Sequence, residues 1–167
     1  MNNNITFVAC WWTIDKDYSI LKGSYDFIIW KPRIANILKN IRLNYWFEVI
    51  ELIKKDSLDM TDDDRNLILE TVKKVKNDKI IITHWTDTMI DTWEKLKQIK
   101  DKKIILIWSS KPQIFKDSDA DFNIWFAMWV INTINKNWIY IVMNWELFEI
   151  GSVEKTQEGF FKKLNNN

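Results

Sequence analysis

The stretch Val8-Ala9-Cys10-Trp11-Trp12-Thr13-Ile14-Asp15, VACWWTID, closes a short apolar run with two indoles and then turns polar at once. A buried strand ordinarily ends in a small residue where the backbone must turn or approach a ligand, because glycine does both without steric cost. Here two of the largest side chains stand at that corner, followed by a hydroxyl and a carboxylate. How this corner is read decides what the rest of the chain is.

Outward from it, the hydrophobic pattern alternates strand-like and helical runs. Residues 5–10 (ITFVAC), 47–53 (FEVIELI), 79–83 (KIIIT), 103–107 (KIILI) and 139–143 (IYIVM) are short, apolar and rich in isoleucine. Such runs suit parallel strands covered on both faces. Thr61-Asp62-Asp63-Asp64 predicts a helix start, with a Thr-x-x-Asp cap and acids at the positive end of the dipole. Ile68, Val72 and Val75 then share one face of that helix. Met89, Ile90, Trp93 and Leu96 stripe the next helix, and Phe122, Phe126, Val130 and Ile134 a third. Strands alternating with helices of this length predict an α/β fold, a three-layer, doubly wound, mostly parallel sheet. Residues 1–167 read as one domain, with fraying expected at the Asn-rich ends, 2–4 and 165–167.

Composition narrows the function classes. With 47% apolar and 28% charged residues the chain has the balance of an ordinary globular protein. A net charge of +1, from 24 basic and 23 acidic residues, argues against nucleic acid or an anionic membrane as partner. One cysteine allows no internal disulfide, and one histidine leaves no metal cluster of the usual spacing. Cys10, at the end of a buried strand, reads as an inert core thiol. No run reaches membrane-spanning length, and MNNNITF lacks the basic start and apolar core of a signal peptide, so a cytoplasmic location is expected.

In a doubly wound sheet, ligands bind beyond the carboxyl ends of the strands, where loops run into helix N-termini. Polar clusters fall at those ends: Thr13-Ile14-Asp15, Asp56-Ser57-Leu58-Asp59, Thr83 to Thr88, and Ser109-Ser110-Lys111-Pro112. Each alone is explicable as capping and turn chemistry. Four converging on one sheet edge favour a binding site.

The tryptophans are out of place in the same regions. The chain holds 11 Trp and 3 Gly, where average usage gives about 7% Gly, roughly a dozen. Trp11, Trp12, Trp85 and Trp108 fall at strand carboxyl ends. Trp46 and Trp138 directly precede strands, where a glycine would cap the foregoing helix. Trp145 follows Asn144, at the place of an Asn-Gly hairpin turn. Trp93, Trp125 and Trp129 lie in helices, where small residues would allow close packing on the sheet.

With Gly read for Trp, the opening stretch becomes VACGGTID and residues 83–89 become THGTDTM. At these residues the chain resembles the bacterial-type L-asparaginase/glutaminase family, whose two signatures are a Gly-Gly-Thr-Ile strand end and a His-Gly-Thr-Asp-Thr loop. KKDSLDMTDDD looks like that family's substrate-binding segment, and SSKPQIFKDSDADFNI its loop and helix after the fourth strand. IVMNWELFEIGSVEKTQ is similar to its final strand, C-terminal β-hairpin and lysine segment. The resemblance runs in order through the chain and covers the family's N-terminal domain, without the usual smaller C-terminal one. Two explanations of the tryptophans stand side by side. UGA codons that the source organism reads as glycine were rendered as Trp, which fits an Asn-, Lys- and Ile-rich, AT-biased composition. Alternatively the polypeptide carries the indoles, and then its site is blocked and its fold overpacked.

The resemblance implies hydrolysis of the side-chain amide of L-asparagine, or a similar small amide, with no metal and no cofactor. It makes Thr13 the first nucleophile and Tyr25, in the KGSYDF lid, its proton-transfer partner. Thr86, Asp87 and Lys155 match the second triad, and Ser57, Thr86 and Asp87 the groups that hold an amino-acid substrate. Backbone N–H groups at positions 12 and 86 are the implied oxyanion donors, which requires Trp12 and Trp85 to stand at turns meant for small residues. From the residues alone, Thr13 and Thr86 read as helix caps, Lys155 as a solvated lysine, and His84 as a packing residue. The family completes its first triad with a carboxylate from the C-terminal domain of a neighbouring subunit. A homo-oligomer is therefore open, and so is a non-catalytic, amino-acid-binding or regulatory role.

Overall fold

Apolar runs too short for a helix and apolar on both faces are stable when they pair edge to edge between covering layers. The computed structural model describes residues 4–10, 13–18, 27–29, 31–39, 46–55, 59–149, 151, 153–156 and 161–163. In chain order its elements are β1 (Ile5–Ala9), β2 (Lys16–Tyr18), β3 (Phe27–Ile29), α1 (Ile34–Lys39), β4 (Phe47–Glu51), α2 (Asp62–Lys74), β5 (Lys79–Thr83), α3 (Met89–Leu96), β6 (Lys103–Ile107) and α4 (Ala120–Thr133). β7 (Ile139–Met143), β8 (Glu146–Glu149), β9 (Val153–Lys155) and β10 (Phe161–Lys163) follow. No helix among the described residues is long and apolar enough to cross a membrane.

Six strands form one sheet in the order β4-β1-β5-β6-β7-β8. The first five run parallel, and β8 returns antiparallel to β7. This is the predicted α/β sheet with a hairpin near its C-terminal end. Alternate residues face opposite layers, as a pleated strand requires. On one face Val8, Ile82 and Leu106 pack with Ile68 and Val72 of α2 and Met89 and Leu96 of α3. On the other, Phe7, Ile81, Ile105 and Ile107 pack with Ile37 and Leu38 of α1 and Ile124 and Ile131 of α4. Each isoleucine fully buried this way contributes about 1.5–3 kcal/mol, and this burial is what holds the three layers together. The chain leaves β1 for β4 on one side and then crosses to β5 on the other, so strand order reverses between β1 and β5. Crevices open at such reversals, outside the carboxyl ends of the strands.

The predicted cap on α2 is present in full. Thr61 Oγ1 accepts from the Asp64 N–H, and the Asp64 carboxylate accepts from the Thr61 N–H at 2.8 Å. Other expectations need correction. The second strand ends at Glu51 rather than residue 53, although Leu52 N still donates to Ala9 O at 2.9 Å. The first strand ends at Ala9, because the Cys10 N–H turns to the Thr83 hydroxyl at 3.2 Å. Of the stripe Phe122, Phe126, Val130 and Ile134, only Val130 is buried in the core beneath α4. Ala120, Ile124, Ala127 and Ile131 are fully buried, whereas Phe122 and Phe126 are only half-buried. That helix is apolar nearly all round, so periodicity could not choose a face, and the small alanines let its backbone come close to the sheet. Trp129, expected to pack toward the sheet, is 63% exposed.

Neither Trp46 nor Trp138 has the left-handed backbone of a capping glycine; among the described non-glycine residues only Asn144 and Trp145 have positive φ. α2 and α4 end instead in extended residues, Val75 and Ile134. Two adjacent lysines supply donors for these ends. Lys102 donates to Val75 O at 2.7 Å and Asn77 O at 3.2 Å, and Lys103 to Ile134 O at 2.6 Å. A cation at a helix C-terminus both satisfies orphan carbonyls and complements the dipole, so no glycine is needed there.

At the β7–β8 hairpin the glycine reading agrees with the backbone. Asn144 (φ 50°) and Trp145 (φ 66°) form a two-residue loop with both angles positive, the geometry that favours Asn-Gly. For a bulky residue this conformation costs about 1–2 kcal/mol. Trp145→Gly and Trp145→Ala both lose the indole's ring contacts with Phe122 and Phe126. Their difference in urea denaturation therefore reports the backbone alone. The glycine variant is expected to be the more stable by about 1 kcal/mol, and equal stabilities would contradict a glycine-demanding turn.

Candidate active site

Ala9 and Thr83 are register partners at the carboxyl ends of β1 and β5, so the segments that follow them emerge side by side at the strand reversal. Thr13 lies on a short 3-10 turn, Thr13–Asp15, directly after β1. It is 5% exposed, and its hydroxyl has no hydrogen-bond partner among the described residues. A buried hydroxyl left unbonded costs roughly 1–3 kcal/mol, and such groups cluster where a ligand or chemistry completes them. The turn is anchored on both sides. Asp15 accepts from the Arg33 N–H at 2.7 Å, and Ile14 O accepts from the Gln113 N–H at 3.2 Å. Sequence reasoning missed both anchors, because neither partner is near the turn in sequence.

Beyond β5, Thr86 is buried and its carbonyl accepts from the Met89 N–H at 3.4 Å as the chain enters α3. Asp87 reaches out from this bend. One of its carboxylate oxygens accepts from the Lys155 ammonium and the other from the Trp85 indole N–H. Lys155, on β9, is thus carried to Asp87 across 68 positions of sequence. The lysine's hydrogen bond holds the Asp87 carboxyl below the ordinary carboxylate value. Asp87 and Lys155 are therefore paired on the loop that leaves β5, at the sheet edge where the turn bearing Thr13 follows β1. Trp12, Tyr25 and Ser57 lie outside the described residues.

The Trp85 indole packs edge-on against Trp108 from the end of β6, with ring centroids 5.6 Å apart, and the Lys16 ammonium sits 5.9 Å from its ring centre. Among the described residues neither Trp108 Nε1 nor Trp93 Nε1, both buried, has a hydrogen-bond partner. The third loop is preorganised by Asp119, which accepts from the Ser110 N–H and hydroxyl, the Lys111 N–H and the Asn123 amide. Asp119 precedes α4 but caps no helical N–H; its carboxylate is spent on the loop, a role that sequence position alone does not reveal.

His84 is fully buried at the base of this bend, and desolvation pushes its pKa down to about 4. In the unfolded chain a histidine takes up its proton near 6.5. Stability that is complete above 6.5 is therefore lost as pH falls through the window down to about 4. The expected loss is on the order of 3 kcal/mol, read from urea denaturation at pH 7 and pH 4. The carboxylates of Asp62, Asp64, Glu70, Asp87 and Asp117 are all held below their ordinary values of 3.8 and 4.5, so their losses fall mostly at lower pH. Stability unchanged across the window would mean that His84 is not desolvated.

Comparison with known proteins bears on this arrangement. The family described as Asparaginase, N-terminal matches residues 20–166, a span that begins after Thr13. A glutaminase-asparaginase of Acinetobacter glutaminasificans is 27% identical over 170 aligned positions, covering 92% of this chain and 50% of that protein. The thermostable L-asparaginase of Thermococcus kodakarensis superimposes with a TM-score of 0.81 at 20% identity, over 98% of this chain and 52% of that one. L-asparaginase I of Vibrio cholerae gives 0.81 at 22% identity, with 98% and 52% covered. A protein described as a probable cytoplasmic L-asparaginase from Campylobacter jejuni gives 0.78 at 22%, with 98% and 53% covered. At these identities the solved structures speak for the fold. The chain spans about half the length of the relatives it matches.

Proposed function

Because the chain belongs to the asparaginase family, matching its N-terminal domain, we propose that it hydrolyses the side-chain amide of L-asparagine, or a similar small amide, through Thr13. The observations that support this reading are the Asp87–Lys155 pair on the loop after β5 and, on the turn after β1, a buried Thr13 hydroxyl with no partner among the described residues. Amide hydrolysis needs a nucleophile, a proton shuttle and donors for the developing oxyanion. In the proposed sequence, Thr13 Oγ1 loses its proton and bonds to the amide carbon. The carbonyl oxygen takes negative charge against the N–H groups of residues 12 and 86. The C–N bond then breaks and nitrogen leaves, protonated, as ammonia. Water attacks the resulting ester, freeing aspartate and restoring Thr13. Tyr25 serves proton transfer in the first half, and Thr86 with Lys155 in the second. Ser57, Thr86 and Asp87 hold the amino-acid head of the substrate.

This chemistry requires small residues at positions 12 and 85, and we propose that the tryptophans there are glycines in the native polypeptide. Two observations support it. Trp145 stands at φ 66°, in a turn that favours glycine. The Trp85 indole N–H takes the Asp87 oxygen that a substrate ammonium would use. Peptide mass spectrometry of the protein from its source tests this directly, and tryptophan found at positions 11, 12 and 85 rejects it. A second reading is an amino-acid-binding domain without turnover, in which Thr86 and Asp87 hold the ligand and Thr13 does not react. Ammonia release from L-asparagine, measured beside aspartate binding by calorimetry on the glycine-bearing chain, separates the two. Binding without ammonia overturns the hydrolase.

A further inference from the structure

β4 forms one border of the six-stranded sheet and, among the described residues, pairs with β1 alone. Parallel pairing engages alternate residues of a strand. The Ile5 N–H donates to Trp46 O at 3.2 Å and the Leu52 N–H to Ala9 O at 2.9 Å, so the even-numbered residues of β4 bond to β1. The N–H and C=O groups of Phe47, Val49 and Glu51 therefore point to the open side of the sheet. A row of such groups is a template for another extended chain. Two grooves run along this border. One of about 430 Å³ is lined by Val49 and Glu51 with Asp17, Lys31, Arg33 and Lys39. The other, of about 540 Å³, is lined by Glu48 and Ile50 with Lys74 and Lys76. Val49 packs on the α1 layer and Ile50 on the α2 layer, so successive residues of β4 face different grooves, as the pleat requires.

The acids along this border are engaged: Asp17 with Arg33, Glu51 with Lys54 at 3.6 Å, and Glu48 with the Thr6 hydroxyl at 3.5 Å. Lys31, Lys39 and Lys76, by contrast, make no hydrogen bond or ion pair with any described residue. In a chain of net charge +1, positive charge is thus left uncompensated on both sides of one open backbone edge. We infer that the β4 edge docks an extended acidic segment of a partner protein, which adds to the sheet as a further strand and sets carboxylates into both grooves. In such strand addition, backbone bonds supply affinity and alternate side chains supply specificity. Neighbouring residues of a strand point to opposite faces, so two adjacent acids reach both grooves. The same lysines repel the equivalent edge of a second copy. Among the described residues no tryptophan lines either groove, so the inference holds for Trp or Gly at those positions. It is also independent of the proposed hydrolysis.

The probe is an end-blocked octapeptide, Thr-Val-Thr-Glu-Glu-Thr-Val-Thr, titrated into the full chain by calorimetry and followed by amide NMR. Binding is expected to slow hydrogen exchange at the Phe47, Val49 and Glu51 N–H groups, and to leave Glu48 and Ile50, already bonded to β1, unchanged. Replacing both glutamates by lysine, or N-methylating the peptide throughout, is expected to weaken binding at least about tenfold. Val49→Pro removes one outward N–H at an edge position where proline is tolerated. It is expected to weaken binding by about tenfold while the melting temperature holds. Lys31→Gln with Lys76→Gln should weaken it about three- to tenfold, an effect that added salt reproduces. Should Val49→Pro fail to fold, the N-methylated peptide reports the same backbone bonds from the partner's side. No binding at millimolar peptide, binding that survives N-methylation, or protection that appears away from β4 overturns the inference. So does a sedimentation mass of twice the chain that Lys31→Gln or Val49→Pro alters, because the edge then serves a second copy.

Discussion

Thr13→Ala lowers ammonia release from L-asparagine by roughly 10⁴-fold or more while leaving the protein folded and no less stable. The first half follows from the proposed chemistry: without Oγ1 no ester forms, and the remaining donors can only polarise the amide. The second half follows from the structure. Thr13 Oγ1 is buried with no hydrogen-bond partner among the described residues. Removing it discards an unsatisfied polar atom, worth up to about 1 kcal/mol in favour of the variant. The turn itself is held by the Arg33–Asp15 and Gln113–Ile14 bonds, neither of which involves the Thr13 side chain. Coupled ammonia assays and urea denaturation on the same samples check both. A structural capping role predicts the opposite pattern, with lost stability and retained turnover.

Lys155→Met lowers turnover by about 10²-fold or more and changes stability by less than about 1 kcal/mol. The Lys155 and Asp87 side chains are 24% and 44% exposed, so their pair is partly solvated and screened. Its contribution to folding is correspondingly small. Its proposed contribution to chemistry is larger, because the ammonium is the fixed positive charge beside Thr86 and Asp87. The same substitution should let the Asp87 carboxyl rise back toward its ordinary value, since Lys155 is the main cause of its depression. Titrating Asp87 by carbon NMR in the variant reads that shift. Turnover unchanged in Lys155→Met would reduce the lysine to a surface ion-pair partner.

Much of the fold is legible in the sequence because its signals are local. The runs at 79–83, 103–107 and 139–143 are strands at the predicted limits, since short isoleucine-rich segments have no other stable way to bury both faces. The Thr61–Asp64 box and the Asn144 turn were likewise readable from three or four adjacent residues. The order of polar clusters at strand ends put Thr13, Thr86 and Asp87 at one edge of the sheet.

Other features depend on which surfaces meet. The outward face of α4 could not be read from a helix apolar on every side; the sheet selected Ala120, Ile124, Ala127 and Ile131. The segment after α4, before Trp138, looked like a place for glycine; the helix end at Ile134 is satisfied instead by Lys103 at the start of β6, and that at Val75 by the neighbouring Lys102. His84 carried no chemical signal as a strand-end residue. Its burial between Thr92 and the residue 85 carbonyl was decided by how α3 packs against the end of β5. The residue types proposed for hydrolysis and the order of strands and helices were written locally, in periodicity, caps and turns. The pairing of Asp87 with Lys155, 68 positions apart, was decided by tertiary structure, because an ion pair between distant segments exists only when the fold closes the distance.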